Sequence, residues 1–171
     1  MPETRTLILD EHKINQKINR IAWQIYEHYY KEEEIILSGI VDNGFILAQR
    51  IASVLGEISP IKVRTVKIAL NKTAPLTEPV ITELKSEDVE NKVLIVVDDV
   101  LDSGKTLIYG VKHFLNFPVK HLKTVVLVDR SHRIFPVRAD YVGLTLATTL
   151  QEQIRVEFKG NGKEHDGVFL Q

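Results

Sequence analysis

The 171-residue sequence has no cysteine, so disulfides and thiolate metal ligands are excluded. It lacks an unbroken apolar run of the ~18 residues that a membrane helix needs, and its first residues are polar. Neither a membrane span nor a secretory leader is expected. An excess of one charge sign is also missing. The 22 Lys and Arg stand against 23 Asp and Glu, a net charge of −1, which gives no global attraction to nucleic acid or a membrane surface and leaves only local patches to consider. Internal repeats and low-complexity tracts are absent. What remains, 44% hydrophobic and 26% charged residues, suits a single domain over residues 1–171 with a sizeable core. The cytoplasm is the expected compartment.

One stretch organises the rest. Val93-Leu94-Ile95-Val96-Val97 is a short apolar run rich in β-branched residues, as in a strand buried on both faces of a parallel sheet. Asp98 and Asp99 close it, Ser103-Gly104-Lys105-Thr106 follows, and from about Thr106 the spacing of Leu107, Ile108, Val111, Phe114 and Leu115 is helical. A strand, a tight loop and a helix start aim backbone N–H groups at one point, an anion site most often filled by phosphate. Gly104 admits close backbone approach, and the Ser103 and Thr106 hydroxyls add donors. Ionised Asp98 and Asp99 only accept hydrogen bonds, so beside a phosphate they suit ligand hydroxyls or a hydrated Mg²⁺. Phosphate, diol and divalent cation together describe an activated ribose phosphate. Two plainer readings compete. A nucleoside-triphosphate loop also ends in Gly-Lys-Thr, but its first glycine would fall where this chain has Asp99, which excludes it. Alternatively the acids cap the following helix, although ligands of open α/β sheets bind at the carboxyl ends of the strands.

Elsewhere helical and strand patterns alternate. Ile14, Ile18, Ile21, Ala22, Ile25 and Tyr29 recur at three- and four-residue steps and predict an amphipathic helix over 10–31, capped by Asp10. Trp23 and His28 lie at the edge of that stripe, as a subunit contact or as surface-lying core residues. Glu34–Ile40 reads as the first buried strand, Val41-Asp42-Asn43-Gly44 as its exit loop, and Phe45 to Leu55 as a helix stopped near Gly56. Residues 61–70 alternate apolar and polar, a strand half exposed on one side. Asn71 to about Asp88 shows little periodicity and is expected as a loop, either a functional lid or a plain linker. Leu122–Val128 gives a further buried strand and Gln153–Phe158 the last one. Residues 160–167 read as a turn or loose tail, with His165-Asp166 a polar turn rather than a catalytic pair.

The segment 93–106, with its apolar strand, two acids, two apolar residues and loop ending in Gly, a basic residue and Thr, resembles the phosphoribosyl-pyrophosphate (PRPP) motif of type I phosphoribosyltransferases. Residues 129–143, Asp-Arg-Ser-His-Arg-Ile-Phe-Pro-Val-Arg-Ala-Asp-Tyr-Val-Gly, resemble one subfamily, the bifunctional pyrimidine-operon regulators that are also uracil phosphoribosyltransferases. Leu9-Asp10 and Arg20-Ile21-Ala22 fit as well, so the resemblance spans roughly residues 7–158. It implies the α/β fold of type I phosphoribosyltransferases: a mainly parallel sheet flanked by helices, with a small hood built from the N-terminal segment, the 129–145 region or the C-terminus. The implied reaction transfers ribose 5-phosphate from PRPP to a nucleobase, uracil first, with Mg²⁺ held mainly through PRPP and a homodimer or larger homo-oligomer as the assembly. Asp98, Asp99, Asp102, Ser103, Gly104, Lys105 and Thr106 would bind PRPP, Asp42, Asn43 and Gly44 its pyrophosphate, and Arg130, Tyr141 and Val142 the base. Region 71–88 is placed like the mobile loop that covers such sites.

Several positions depart from the pattern. Asp42-Asn43-Gly44 stands where relatives commonly carry Thr-Arg-Gly or a similar basic triplet, so an arginine that pairs with pyrophosphate is missing. Asp102 replaces a usual Tyr. An acid there is a feature of 6-oxopurine phosphoribosyltransferases, where it lies near the base as a proton acceptor, which makes Asp102 the candidate catalytic residue. Those enzymes carry a lysine where this chain has Asp129, so a purine is the second choice of base. Arg130, His132, Arg133 and Arg138 concentrate positive charge; such a cluster binds RNA phosphates, but a solvated loop or intersubunit ion pairs would look the same. In the regulators a basic face including the first helix binds messenger RNA. Arg20, His132, Arg133 and Arg138 match it, while Trp23 replaces a usual histidine and Leu144 a usual lysine. An RNA-binding regulator, or a catalytically silent sensor of PRPP or nucleotide, is therefore the alternative to an enzyme, ranked behind it.

Overall fold

A computed structural model describes residues 4–171. In chain order they form β1 (Thr6–Asp10), α1 (Glu11–Tyr29), β2 (Glu34–Ile40), α2 (Asn43–Ile58), β3 (Lys62–Ala69), β4 (Ile81–Thr82) and α3 (Ser86–Val89). Then come β5 (Val93–Leu101), α4 (Lys105–Phe114), β6 (His121–Asp129), β7 (Tyr141–Thr145), β8 (Ile154–Glu157) and β9 (Gly167–Leu170). Six strands make the main sheet in the order β4-β3-β2-β5-β6-β7. Its neighbours run parallel except for β3 and β4.

The central position of β5 follows from its composition. Val93, Ile95 and Val97 pack with Ile35, Leu37, Val125 and Leu127 under α1 and α2, whereas Leu94 and Val96 pack with Ile36, Val126 and the α4 residues Leu107 and Phe114 on the other face. All five side chains of Val93–Val97 are fully buried. Each such burial contributes roughly 1.5–3 kcal/mol, so together they rival the ~5–15 kcal/mol net stability of an ordinary domain, and an edge position for this strand is untenable. The α1 stripe is buried as its spacing predicts, and Asp10 caps the helix by accepting from the Lys13 N–H at 2.8 Å. Among the described residues no helix is long and apolar enough to cross a membrane.

Several expectations need correction. Strand β5 continues past the two acids to Leu101, because Val100 and Leu101 still pair with Val128 and Asp129 of β6. Helix α2 runs through Gly56 to Ile58; a glycine on an exposed helix surface weakens a helix without ending it, and the stop is Ser59, whose N–H and hydroxyl both donate to the Leu55 carbonyl. Region 71–88 is not wholly loop. It contains β4, which covers the edge of β3, and the single turn α3, where Asp88 accepts from the Lys85 N–H at 2.8 Å.

The hood is a separate antiparallel sheet, β1-β9-β8. It takes its strands from the two chain ends and none from residues 129–145, since Tyr141–Thr145 pairs with β6 as the edge of the main sheet. The last strand is therefore β9, and residues 160–167 are not a loose tail but a hairpin turn leading into it. Asp166 within that turn is buried and forms a bidentate ion pair with Arg50 of α2, at 2.5 and 2.9 Å.

Two glycines of the β2–α2 unit make opposite predictions. A Cβ on Gly39 would strike the Phe45 backbone and lie 2.7 Å from the Gly44 carbonyl, so this glycine lets α2 fold directly back over β2. Gly56 has no atom within 4 Å of the corresponding position. Gly39→Ala should cost about 1–3 kcal/mol, and Gly56→Ala should gain about 0.5–1 kcal/mol, both read from urea unfolding midpoints.

Candidate active site

Register brings the strand exits together. Gly39 of β2 pairs with both Lys67 and Val97, and Leu101 of β5 pairs with Asp129 of β6, so the carboxyl ends lie along one edge with the starts of α2 and α4 beside them. Asp98 is 2% exposed and Asp99 half-buried. Each accepts a local backbone bond: Asp98 Oδ1 from the Asp99 N–H and Asp99 Oδ1 from the Val100 N–H, both at 2.9 Å. Neither caps the next helix. The N-cap of α4 is Gly104, with no side-chain cap, so the plain capping role is ruled out. Burial holds the Asp98 carboxyl well above the usual range, and the Asp99 charge adds to this, while Lys72 pulls the other way from 3.8 Å.

The loop after β5 forms a recess of about 50 Å³ lined by Asp102, Ser103, Gly104, Lys105 and Thr106, a size for a small anion rather than a base. Gly104 adopts φ 86°, a left-handed conformation that favours glycine, and a Cβ there would lie 2.6 Å from Val137 Cγ1. The Ser103 carbonyl accepts from the N–H groups of Ile134 and Phe135, so the 131–139 segment clamps the loop from outside. Lys105 Nζ donates to the Thr73 carbonyl at 2.9 Å. It thereby ties the 71–80 segment to the site.

On the other side, α2 begins at Asn43 after a cis Val41–Asp42 peptide. A Cβ on Gly44 would lie 2.5 Å from the Val97 carbonyl and 3.3 Å from Asp98 Oδ1, so the helix start presses against the end of β5. Asp42 is exposed and makes no cap bond. Asn43 Nδ2 donates to Asp99 Oδ2 and to the Val156 carbonyl of the hood, and its Oδ1 accepts from Asn161, all at 3.0 Å.

The expected base residues separate. Arg130 reaches the site, with its guanidinium on Asp102 Oδ1 at 2.9 Å, on Thr148 Oγ1 and on the Thr149 carbonyl. Tyr141 and Val142 do not. Tyr141 pairs with Val125, four residues before Asp129, roughly 13 Å short of the edge at 3.3 Å per residue. Its hydroxyl is buried against His28 Nδ1 of α1 at 2.7 Å, and burial, with Tyr29 and Asp140 nearby, raises its pKa. Val142 packs with the α4-side core. Of the expected RNA residues, Arg20 donates to the Val142 and Gly143 carbonyls at 3.1 and 2.6 Å, and Arg133 pairs with Asp129. His132 is half-buried, and Arg138 is exposed with no side-chain partner among the described residues.

With this geometry in place, the relatives can be compared. Residues 5–157 match the family model described as the phosphoribosyl transferase domain. The chain belongs to the phosphoribosyltransferase family. A protein of Clostridium acetobutylicum named bifunctional protein PyrR is 35% identical over 164 residues, covering 92% of each chain. A bifunctional protein PyrR of Haemophilus ducreyi is 33% identical and covers 95% of this chain and 92% of its own. Among solved structures, the hypoxanthine phosphoribosyltransferase of Trypanosoma cruzi superposes with a TM-score of 0.75 at 20% identity, covering 96% and 95%, and a hypoxanthine-guanine phosphoribosyltransferase of Bacillus anthracis with 0.69 at 24%, covering 82% of each. At that identity the structures carry the fold alone. The chain is thus a type I phosphoribosyltransferase of the PyrR-like subfamily, as segments 93–106 and 129–143 imply. Lys72, Thr148, Thr149, Val156 and Asn161 also reach the site; the lysine sits in an unpatterned stretch and the others lie beyond β7, and no local signal marks any of them.

The phosphoribosyltransferase acid pair has a stability consequence with a definite sign. Because the folded protein holds a proton on Asp98 more tightly than the unfolded chain does, stability falls as pH rises through that raised value. Asp98→Asn cannot ionise, so it should unfold at a higher temperature than the parent at pH 8, with the gap closing towards pH 4. A variant less stable at pH 8 would show that Lys72 fully compensates the buried charge.

Proposed function

We propose that the chain transfers ribose 5-phosphate from PRPP to a ring nitrogen of uracil, releasing pyrophosphate, as a cytoplasmic homo-oligomer. The observation that carries this reading is the meeting of an acid pair, Asp98 buried and Asp99 half-buried, with a phosphate-sized recess at one sheet edge, where α2 and α4 both start. Backbone N–H groups of 103–106 and the α4 N-terminus take the 5′-phosphate. Asp98 and Asp99 accept from the ribose hydroxyls. The start of α2 at Asp42, Asn43 and Gly44 faces the pyrophosphate with N–H groups and no cationic side chain. The Asp98 and Asp99 carboxylates suit a Mg²⁺ that keeps its waters and enters with PRPP; when bound, it would neutralise charge on the departing pyrophosphate. Because the ribosyl carbon becomes cation-like, most of the rate comes from positioning and from stabilising the leaving group. Asp102, 55% exposed at the mouth, is the acceptor for the proton of the attacking nitrogen.

Asp129 supports uracil over a 6-oxopurine. It occupies the place of the purine enzymes' lysine, is buried, and accepts from the Ser131 N–H and from Arg133. It therefore has no donor for a 6-oxo group. RNA binding is the second reading, favoured by the exposed Arg138 and weakened by the internal bonds of Arg20 and Arg133.

Assay of PRPP consumption with uracil, hypoxanthine, guanine and xanthine tests the reading, with uracil expected to be turned over fastest. Replacing Asp98 and Asp99 together by Asn should weaken Mg-PRPP binding at least ~10-fold, on the scale of a charged hydrogen bond. Calorimetry that finds unchanged affinity in a folded double variant would sink the acid-pair role.

A further inference from the structure

Asp102 has one partner. Its side chain is 55% exposed, and the Arg130 guanidinium makes the only side-chain hydrogen bond to it among the described residues. Arg130 itself is 7% exposed. Its Nη1 donates to Asp102 Oδ1 at 2.9 Å, its Nε to Thr148 Oγ1 at 2.5 Å and its Nη2 to the Thr149 carbonyl at 2.8 Å. Its backbone N–H is fixed on the Leu101 carbonyl at 2.9 Å. Arginine has five side-chain N–H donors in a rigid fork. Three are engaged, and the burial of the side chain keeps a ligand from the rest. A residue in this state cannot bind a base, yet it joins two segments that, among the described residues, share no other hydrogen bond: the acid after β5 and the 146–150 loop between β7 and β8.

We propose that Arg130 is a positioning residue and not a base ligand: it welds Asp102 to the 148–149 loop, so that the nucleobase is held between the acid's free oxygen and that loop. This rests on the transferase reading above. In the step that it serves, the bond from the base nitrogen to ribose C1 forms as the C1–O bond to pyrophosphate breaks, with the electron pair leaving on oxygen. The proton of the nitrogen passes to Asp102 Oδ2 and then to solvent. A planar fork is required because one group must meet a carboxylate, a hydroxyl and a carbonyl at once. Lysine keeps the charge beside Asp102 but cannot span the other two.

Arg130→Ala, Arg130→Lys and Thr148→Val test this, with kcat and KM measured for the accepted bases, Mg-PRPP affinity by calorimetry, and amide hydrogen exchange of 146–150 in the free protein. Arg130→Ala should lose roughly 100-fold in kcat, the scale of a misplaced reacting group. The loss should be the same for every accepted base, with Mg-PRPP affinity within ~2-fold of the parent. Millimolar guanidinium should restore part of the turnover, and Lys should retain more than Ala. Exchange across 146–150 should quicken in Arg130→Ala and, less, in Thr148→Val, which keeps the weld testable if the alanine variant fails to fold. A changed preference among bases would make Arg130 a base ligand and overturn the proposal, as would a matching loss of Mg-PRPP affinity or unaltered exchange. A parent chain that turns over no base overturns the transferase reading and the proton transfer with it, whereas the exchange result separately decides whether Arg130 holds the loop.

Discussion

A carboxylate at the buried end of an apolar strand is the constraint on which the site depends. Asp98 is almost without solvent, and the charged Asp99 adjoins it, so both burial and repulsion oppose its ionisation. The chain could lower this energy by ending β5 at Val97, with the acids in water. It does not, because pairing with β6 runs on through Val100 and Leu101. What lies around the pair instead is partial compensation: two backbone N–H bonds, the Asn43 amide and a half-exposed Lys72 at 3.8 Å. A ligand that brought hydroxyl donors and a divalent cation, as the proposed function requires, would complete what the protein leaves incomplete.

Asn43 shows how the loop between β2 and α2 is integrated. An arginine at this position would bring charge, whereas Asn43 brings connectivity, since one amide joins Asp99, the β8 carbonyl of Val156 and Asn161 in the hairpin turn. Seven residues later on α2, two helical turns away and so on the same face, Arg50 holds Asp166 of that hairpin. The hood is thereby fastened to α2 at two points along one stripe. Its docking and the geometry of the acid pair share a residue, so the loop's departure from the family is also the means by which the hood meets the sheet.

What could be read in the sequence was whatever contiguous residues determine. Strands β2, β5 and β6 each contain a short apolar run, the α1 stripe is a local period, and the 103–106 loop carries its own turn chemistry. Partners distant in sequence left no such trace. Strand β9 pairs with β1 across almost the whole chain, and without that partner Val168, Phe169 and Leu170 look like the end of a tail. Asp166 looked like part of a polar turn because nothing near it announces Arg50. Tyr141 illustrates the opposite failure: a motif lent it a role at the base, but the register of β7 against β6 sets it below the edge and under α1. Similarity of motif identifies a segment, and strand register decides which of its side chains reach the ligand.

The same distinction governs the basic residues. Counted along the sequence, Arg20, Arg130, His132, Arg133 and Arg138 make a patch. In the fold most of that charge is engaged within the chain although only Arg130 is buried, with Arg20 on the Val142 and Gly143 carbonyls of β7, Arg130 on Asp102 and the 148–149 loop, and Arg133 on Asp129. A phosphate backbone competing for Arg133 would have to leave the buried Asp129 carboxylate short of a partner, a penalty that grows as solvent is excluded. Competing for Arg130 would release the acid at the mouth of the site. Only Arg138 and the half-buried His132 stand outside these bonds, so an anionic polymer would gain few counterion-releasing contacts without breaking bonds within the fold.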